Sequence, residues 1–216
     1  MDGEMVRIVS RLELERKLAR LKPHPSPKVE LEQYTTPTNV ASNILFTATY
    51  VYGDVEDKLI VDLGCGTGIL SIGAQLLGAQ SVVGVDIDPL AVEVARENAS
   101  TLGVLGCYHL VLGEISSLRG SFDTAIMNPP FGTRQRHMDV EFLSVALKLA
   151  GTIYSLHKSS TRKFLLDFVE KHGFDVSAIL PLEFDIPHMF EFHRKRRKSM
   201  FVDLYRIVKR LDNSQL

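Results

Sequence analysis

A turn of four residues, Asn128-Pro129-Pro130-Phe131, carries the side chains whose types and spacing point most directly to chemistry. It follows an apolar run over residues 122–127 that reads as a buried strand. The two prolines fix φ and stiffen the turn, so the Asn128 amide and the Pro129 carbonyl can converge on one –NH2 group. Phe131 offers a face on which a flat base can stack. The pattern predicts a site that holds a planar amine before an electrophile. The alternative is an edge strand ended by prolines, with Phe131 in the core.

A glycine-rich turn upstream, with Gly64, Gly66 and Gly68, supplies a candidate site for that electrophile. These glycines allow a tight turn and a close approach of the backbone to a ligand. Asp62 lies at the end of the preceding strand, where a carboxylate would disfavour a pyrophosphate and suit an ammonium group. Asp86 ends the next strand and can accept hydrogen bonds from both hydroxyls of a ribose. Acidic residues at both strand ends favour S-adenosylmethionine over NAD as the cofactor.

Further cofactor contacts are predicted around these two acids. Ile87 follows Asp86 and is assigned to the same nucleoside, whereas Asp88 is interpreted as a helix N-cap. Glu114 follows the third strand, where it could meet the adenine amino group or remain solvated. Gln33 and Thr36 lie between two predicted helices and could close over the amino-acid end of the cofactor. Thr36 is also expected to cap the helix that follows it. Asn128 is assigned to the cofactor site as well as to the amine.

The elements that position these motifs alternate from residue 58 onward. Short apolar strands are predicted at residues 59–63, 81–85, 107–112, 124–128 and 152–156. Helices are predicted between and after them, at residues 69–77, 89–102, 140–150 and 161–172. This rhythm predicts an α/β protein with a mostly parallel sheet covered on both faces. Two extended runs, 174–186 and 200–208, predict an antiparallel hairpin at the end of the sheet. Because ligands bind at the carboxyl ends of such strands, the two turns should meet.

Five consecutive basic residues, at positions 194–198, lie in the connection of the predicted hairpin. The net charge of the chain is −1, so the rest carries −1 − 5 = −6. If the first hairpin strand runs parallel to the others, this basic run lies beside the site. Basic and aromatic residues together predict a grip for single-stranded nucleic acid; the alternatives are a solvated turn or a nuclear-import-like tract. The residues assigned to RNA are His157, Lys158, Phe192, His193, Arg194, Lys195, Arg196 and Arg197.

The composition describes an ordinary globular protein, with 45% hydrophobic and 24% charged residues in 216. A helix over residues 5–21 and a proline-rich linker make up an N-terminal segment, residues 1–27, ahead of a domain at residues 28–211. The two cysteines, Cys65 and Cys107, form neither a disulfide framework nor a metal motif. Cys65 is interpreted as a small filler. We therefore expect a reducing, cytoplasmic setting, with no metal, no signal peptide and no membrane span.

Six blocks occur along the sequence in this order: Glu32-Gln33-Tyr34, Asp62-Leu63-Gly64-Cys65-Gly66, Asn128-Pro129-Pro130-Phe131-Gly132-Thr133, Tyr154-Ser155-Leu156-His157-Lys158-Ser159-Ser160-Thr161, Phe192-His193-Arg194-Lys195 and Val202-Asp203-Leu204. Together they resemble the methyltransferase-like N6-adenine enzymes that act on small-subunit ribosomal RNA. The resemblance spans roughly residues 28–208 and implies a class I (Rossmann-like) methyltransferase fold, with a seven-stranded sheet. It also implies S-adenosylmethionine as the cofactor and an adenine in a single-stranded or loop segment of rRNA as the target. Glu114 departs from the family, which has an aspartate contacting the cofactor adenine there.

The resemblance also implies a protein partner. Eukaryotic members of the family pair with a small zinc-binding activator that adds to the edge of the third strand, where Tyr108 and Leu110 are available for strand addition.

Two alternative functions keep the fold and change the acceptor to DNA adenine or a protein glutamine. Glutamine-modifying relatives usually carry Tyr at the position of Phe131, and DNA enzymes commonly add a recognition domain. A non-catalytic RNA-binding scaffold is a further alternative. It predicts damaged motifs, whereas the glycine-rich turn and the Asn-Pro-Pro-Phe turn are both intact.

Overall fold

Helices and strands alternate along most of the chain from residue 59 to residue 187, with two consecutive strands between residues 108 and 127. The computed structural model describes residues 10–131, 137–187 and 197–210, and the side chains within these ranges except those of 183–187 and 197–200. The helices and strands are α1 (Arg11–Leu18), α2 (Thr38–Tyr50), β1 (Leu59–Leu63), α3 (Ile69–Leu76), β2 (Ser81–Asp86), α4 (Pro89–Thr101), β3 (Tyr108–Leu112), β4 (Phe122–Met127), α5 (Met138–Leu149), β5 (Ala150–Lys158), α6 (Arg162–Lys171), β6 (Phe174–Pro187) and β7 (Arg197–Lys209).

The strands form one seven-stranded sheet in the order β3-β2-β1-β4-β5-β7-β6. Strands β1 to β5 pair in parallel with one another, and β7 runs antiparallel to both β5 and β6. The predicted mostly parallel sheet and its terminal antiparallel hairpin are confirmed. Parallel pairing also brings the carboxyl ends of β1, β2 and β4 to one edge of the sheet, where ligands bind in folds of this type.

The terminal hairpin extends past the end of β5 at this same edge. The last pair between β5 and β7 joins Lys158 to Val202, whereas β6 and β7 remain paired up to Pro187 and Arg197. Five further residues of β7 therefore project beyond the sheet, a length of about 17 Å at 3.4 Å per residue. The basic run reaches the tip of this projection, because Arg197 and Lys198 begin β7, whereas residues 194–196 lie outside the described residues.

Apolar residues pack on both faces of the sheet, because alternate side chains of a strand point to opposite faces. In β4, Ile126 belongs to the cluster under α1, α2, α3 and α4, whereas Ala125 and Met127 belong to the cluster under α5 and α6. Leu14 and Leu18 bury the inner face of α1 in the first of these clusters. Each fully buried side chain of this size contributes about 1.5–3 kcal/mol relative to an exposed one.

Two helix starts test the predicted caps. Asp88 caps α4 as predicted, because its side chain accepts a hydrogen bond from the Leu90 N–H at 3.2 Å. The prediction that Thr36 caps α2 is wrong: Pro37 occupies the N-cap position, and no side chain caps the helix. The Thr36 hydroxyl is instead engaged at the site described below.

None of the described helices has the length and apolar character needed to cross a membrane.

Candidate active site

A cavity of about 440 Å³ opens at the carboxyl edge of the sheet. Its walls come from the ends of β1, β2 and β4, from the first turns of α3 and α5, and from residues 23–36, which we call the strap. The structure brings together at this cavity most of the residues predicted to bind the cofactor or the amine, namely Gln33, Thr36, Asp62, Gly64, Gly66, Asp86, Ile87, Glu114, Asn128 and Pro130.

The glycine turn after β1 holds its shape through left-handed backbone conformations. Gly64 has φ +70° and Gly66 has φ +53°, and the Gly64 N–H donates to the carbonyl of Val85 at 2.9 Å. A Cβ on Gly64 would lie 2.8 Å from the Phe142 ring, whereas a Cβ on Gly66 would meet nothing within 4 Å. Gly66 therefore leaves the cavity floor open. Gly68, also predicted to bind the cofactor, is not part of the cavity wall and occupies the N-cap position of α3.

Asp62 places a buried carboxylate in the cavity wall. Its Oδ2 accepts hydrogen bonds from the Ser71 N–H at 3.0 Å and from the Ser71 hydroxyl at 2.6 Å. Its Oδ1 is buried and has no partner in the described part of the chain. Burial raises the pKa of Asp62 to about 7. An unpartnered carboxylate oxygen in a cavity wall is suited to a cationic group of a ligand, which would restore the missing hydrogen bond.

Asp86 connects the glycine turn to the end of β2. Its Oδ2 accepts from the Gly66 N–H at 2.8 Å and its Oδ1 accepts from the Asp88 N–H at 2.9 Å. Burial raises the pKa of this carboxyl above its ordinary value. Each oxygen still has acceptor capacity for a hydroxyl donor. Ile87, which is 51% exposed, adds an apolar surface beside it.

Two further residues of the cavity wall are the acid Glu114 and the thiol Cys65. Glu114 is exposed, and its carboxylate accepts a long hydrogen bond of 3.4 Å from the Ser116 hydroxyl. Cys65 is buried, and burial raises the pKa of its thiol well above its ordinary value. A thiol that stays protonated is a poor nucleophile, which fits the interpretation of Cys65 as a filler.

The strap is anchored on Asp88. The Gln33 amide donates to Asp88 Oδ2 at 2.8 Å, the Lys28 ammonium donates to Oδ1 at 3.2 Å, and the His24 ring lies 3.1 Å from Oδ2. Burial raises the pKa of Asp88, but the hydrogen bonds from Gln33 and Lys28 outweigh it and lower the pKa below its ordinary value. Gln33 thus lies on the β2 side of the cavity. No pattern in the sequence around Gln33 indicates this long-range contact with Asp88.

Asn128 lies beside the glycine turn, because Met127 of β4 pairs with Leu63 of β1. Two strap residues hold its amide. The Tyr34 hydroxyl donates to Asn128 Oδ1 at 2.9 Å, and Asn128 Nδ2 donates to the Thr36 hydroxyl at 2.9 Å. Reasoning from the residues assigned no role to Tyr34, although it lies in a block that carries the family resemblance.

The rest of the Asn-Pro-Pro-Phe turn is less exposed than predicted. Pro129 is buried, and only Pro130 reaches the cavity wall. Phe131 is 6% exposed and stacks on the Tyr34 ring, with centroids 5.5 Å apart and an interplanar angle of 22°. The face predicted for a flat base is therefore occupied by Tyr34, and Phe131 belongs to the core, as the alternative interpretation had it.

The prediction that His157 contacts RNA does not fit its burial, because only 1% of the residue is exposed. Its Nε2 lies 2.7 Å from the Ser155 hydroxyl, and its Nδ1 lies 3.9 Å from the Asp139 carboxylate, too far for a hydrogen bond. Burial lowers the pKa of the ring. Ser155 is itself fully buried, so this Ser-His-Asp array offers no accessible nucleophile. His157 is therefore a core residue beneath the site and not the RNA contact that was predicted.

Two blocks of the resemblance meet at Asp203, which is fully buried in β7. Its carboxylate accepts hydrogen bonds from the Ser159 hydroxyl at 2.9 Å, from the Tyr205 hydroxyl at 3.1 Å and from two nitrogens of Arg162, each at 2.8 Å. These contacts attach the start of α6 to the strand that leads out of the basic run. Lys158 is half-buried at the end of β5, outside the cavity wall.

Most of the predicted RNA contacts fall outside the described residues. Arg197 begins β7, but its side chain is among those not described. The predicted residues that lie outside the description altogether are Gly132, Thr133, Phe192, His193, Arg194, Lys195 and Arg196.

Comparisons with known proteins give two kinds of match. A family model described as ribosomal protein L11 methyltransferase (PrmA) matches residues 43–128. The chain is 39% identical to the rRNA N(6)-adenosine-methyltransferase METTL5 of Danio rerio, over 91% of this chain and 97% of that one. It is 41% identical to the corresponding enzyme of Drosophila melanogaster, over 83% and 87%. A crystal structure assigned to an RNA methyltransferase of Pyrococcus horikoshii matches with a TM-score of 0.88 and 41% identity, over 94% of this chain and all of that one.

Proposed function

The chain belongs to the rRNA N6-adenosine-methyltransferase family, and from this we propose that it transfers a methyl group from S-adenosylmethionine to the N6 amine of an adenosine in small-subunit rRNA. The observation that carries the proposal is the position of Asn128, which lies in the cavity wall beside the glycine turn. The small-subunit assignment rests on the sequence blocks that resemble the enzymes acting there.

The acids at the two strand ends fit S-adenosylmethionine. The unpartnered Oδ1 of Asp62 would hold the ammonium group of the cofactor, and Asp86 would accept from its ribose hydroxyls. Ile87 would contact the adenine ring, and Glu114 its amino group. The glycine turn would lie against the cofactor backbone at Gly66. When bound, the cofactor supplies an electrophilic methyl group on a sulfonium centre.

Asn128 would orient the acceptor amine by taking one of its protons. Because Tyr34 occupies only one acceptor site of Oδ1, a second lone pair remains for the amine. The Pro129 carbonyl was predicted to take the other proton, but Pro129 is buried and lies outside the cavity wall, so Asn128 Oδ1 is the acceptor on which the proposal rests. The exocyclic amine of adenine is a poor nucleophile, since its lone pair is delocalised into the ring, and a hydrogen bond from the amine to Asn128 favours tetrahedral nitrogen. The proton leaves after transfer, so positioning and electrostatics suffice without a general base.

The terminal hairpin would hold the RNA. It projects past the end of β5 at the edge that carries the cavity, and the basic run, residues 194–198, ends in the first two residues of β7. Phe201, which is 67% exposed near the base of the projection, adds an apolar surface for a base. The target adenine must leave any stack to enter the cavity, and this is least unfavourable in a loop or a single-stranded segment.

A small zinc-binding activator would add to the outer edge of β3, which is the terminal strand of the sheet. The backbone of β3 and the exposed side chain of Leu112 support this edge as the contact. Tyr108 does not contribute as predicted, because its side chain is 3% exposed and its hydroxyl lies inside the protein, near Gly84. Leu110 is half-buried.

The test is methyl transfer from labelled S-adenosylmethionine to purified small-subunit rRNA, large-subunit rRNA, duplex DNA and ribosomal proteins in parallel. Nucleoside digestion and mass spectrometry identify the product. We expect N6-methyladenosine in small-subunit rRNA alone. The Asn128→Ala variant should lose transfer while keeping its affinity for the cofactor. Label only in protein would replace the proposal with glutamine methylation. A chain that binds no cofactor in calorimetry would be a scaffold.

A further inference from the structure

The hydroxyl of Tyr34 is the donor that fixes the acceptor oxygen of Asn128. We infer that Tyr34 is a positioning residue for methyl transfer: it acts through Asn128 and holds the amide in the orientation that receives the amine. This inference rests on the function proposed above and deepens it. It is carried by two hydrogen bonds on one amide, from Tyr34 to Oδ1 and from Nδ2 to Thr36, each 2.9 Å long.

Two contacts on opposite sides of the amide restrict rotation about its terminal side-chain torsion, which is otherwise broad for Asn. A rotated or flipped amide would direct its NH2 group toward the incoming amine, and two donors would face each other. Tyr34 and Thr36 therefore preset the acceptor before the substrate arrives, and such preorganisation accelerates the chemical step.

Tyr34 is itself held rigidly. Its ring stacks on Phe131, its hydroxyl is engaged with Asn128, and burial raises the pKa of that hydroxyl well above its ordinary value. The hydroxyl therefore stays protonated and available as a donor. The preceding residue, Gln33, anchors the strap on Asp88. The same short segment thus lines the cofactor cavity and holds the acceptor group, so an ordered strap is needed for both.

The Tyr34→Phe variant tests the inference, because it keeps the ring and the stack on Phe131 and removes only the hydroxyl. Tyr154→Phe is the matched control. The Tyr154 hydroxyl donates to Asp54 at 2.6 Å, away from the cavity wall. We expect Tyr34→Phe to lower kcat on small-subunit rRNA about tenfold, the effect of one hydrogen bond, with an unchanged Kd for S-adenosylmethionine. Tyr154→Phe should shift the midpoint of thermal unfolding without lowering kcat. Thr36→Ser should retain more activity than Thr36→Val.

A second readout does not depend on activity. The side-chain amide signals of Asn128, assigned by their loss in Asn128→Ala, report its hydrogen bonds in a proton–nitrogen NMR spectrum. We expect them to shift and broaden in Tyr34→Phe and to stay unchanged in Tyr154→Phe. Unmoved amide signals, or a kcat within twofold of the parent, would overturn the inference. If the parent transfers no methyl group to any substrate, the proposed function fails, and the amide signals alone decide whether Tyr34 holds Asn128.

Discussion

Neutralising Asp62 should remove a pH dependence from cofactor binding. The buried carboxylate has a pKa of about 7, raised chiefly by burial, and its Oδ1 has no partner in the described part of the chain. If the ammonium group of S-adenosylmethionine supplies that partner, only the ionised form of Asp62 binds it well. The Asp62→Asn variant keeps an acceptor for Ser71 and loses the charge.

The size of the effect follows from the ionised fraction of Asp62. With a pKa of about 7, that fraction falls about eightfold between about pH 7.5 and pH 6, so the Kd should rise about eightfold. The ammonium group stays largely protonated over this range, since an α-amino group has a pKa of about 8. At the higher pH the Asp62→Asn variant should bind about tenfold more weakly or worse, the effect of losing a charged hydrogen bond.

Calorimetric titration of the protein with S-adenosylmethionine at several pH values makes the measurement. The nucleoside 5′-methylthioadenosine is the matched ligand control, because it lacks the amino-acid part and should bind with little pH dependence. Any slope that persists in Asp62→Asn belongs to another titrating group, such as Asp86, whose pKa burial raises. A parent Kd that does not change with pH, or an equal slope for the nucleoside, would refute the assignment of Asp62 to the ammonium group.

The Asp62 carboxyl should also make the stability of the cofactor-free protein depend on pH. Below about pH 4 the folded and unfolded chains both carry the proton, and this contribution is fully present. As the pH rises toward 7, the unfolded chain releases the proton and the folded chain retains it, so stability falls. The interval from 3.8 to about 7 corresponds to roughly 4 kcal/mol at about 1.36 kcal/mol per pH unit. Urea unfolding should show this loss in the parent and not in Asp62→Asn.

Three further changes have defined outcomes. Asp86→Ala should raise the Kd for S-adenosylmethionine about tenfold or more, by losing the ribose contact and the hydrogen bond to the glycine turn; an unchanged Kd in calorimetry would sink the ribose assignment. Gly64→Ala should destabilise the fold by about 1–3 kcal/mol in thermal unfolding, because φ is +70° and the new Cβ would lie 2.8 Å from Phe142, whereas Gly106→Ala, with nothing within 4 Å, is the control. Ala at positions 194–197 should weaken RNA binding and flatten its dependence on salt, and an unchanged salt slope would return the basic run to a solvated turn.

The mostly parallel sheet and the meeting of the two turns could be predicted because both depend on local pattern and simple topology. Short apolar strands separated by helices fix a parallel sheet, and a parallel sheet brings the ends of β1, β2 and β4 to one edge. Asp62 is the penultimate residue of β1, Asp86 ends β2 and Asn128 follows β4. Their convergence on one cavity therefore needs no knowledge of side-chain packing.

The contacts that could not be predicted join residues far apart in sequence. Tyr34 and Asn128 are separated by 94 positions, and Gln33 and Asp88 by 55. They depend on the path of the strap across the sheet edge, which no periodicity encodes. Thr36 shows the consequence: its type and the proline after it indicated a cap, but its hydroxyl instead accepts a hydrogen bond from Asn128, which follows β4. His157 was misplaced for the same reason, since its burial depends on α5 and β7.

The match to the L11 methyltransferase model ends where the acceptor site begins. It covers residues 43–128, which contain Asp62, the glycine turn and Asp86, and it stops at Asn128. The strap and the whole of β5, β6 and β7 lie outside it. We propose that a protein-modifying and an RNA-modifying enzyme share this part because it holds a cofactor common to both. The choice of acceptor must then come from residues outside the match, which is where Tyr34, the hairpin and the basic run are found.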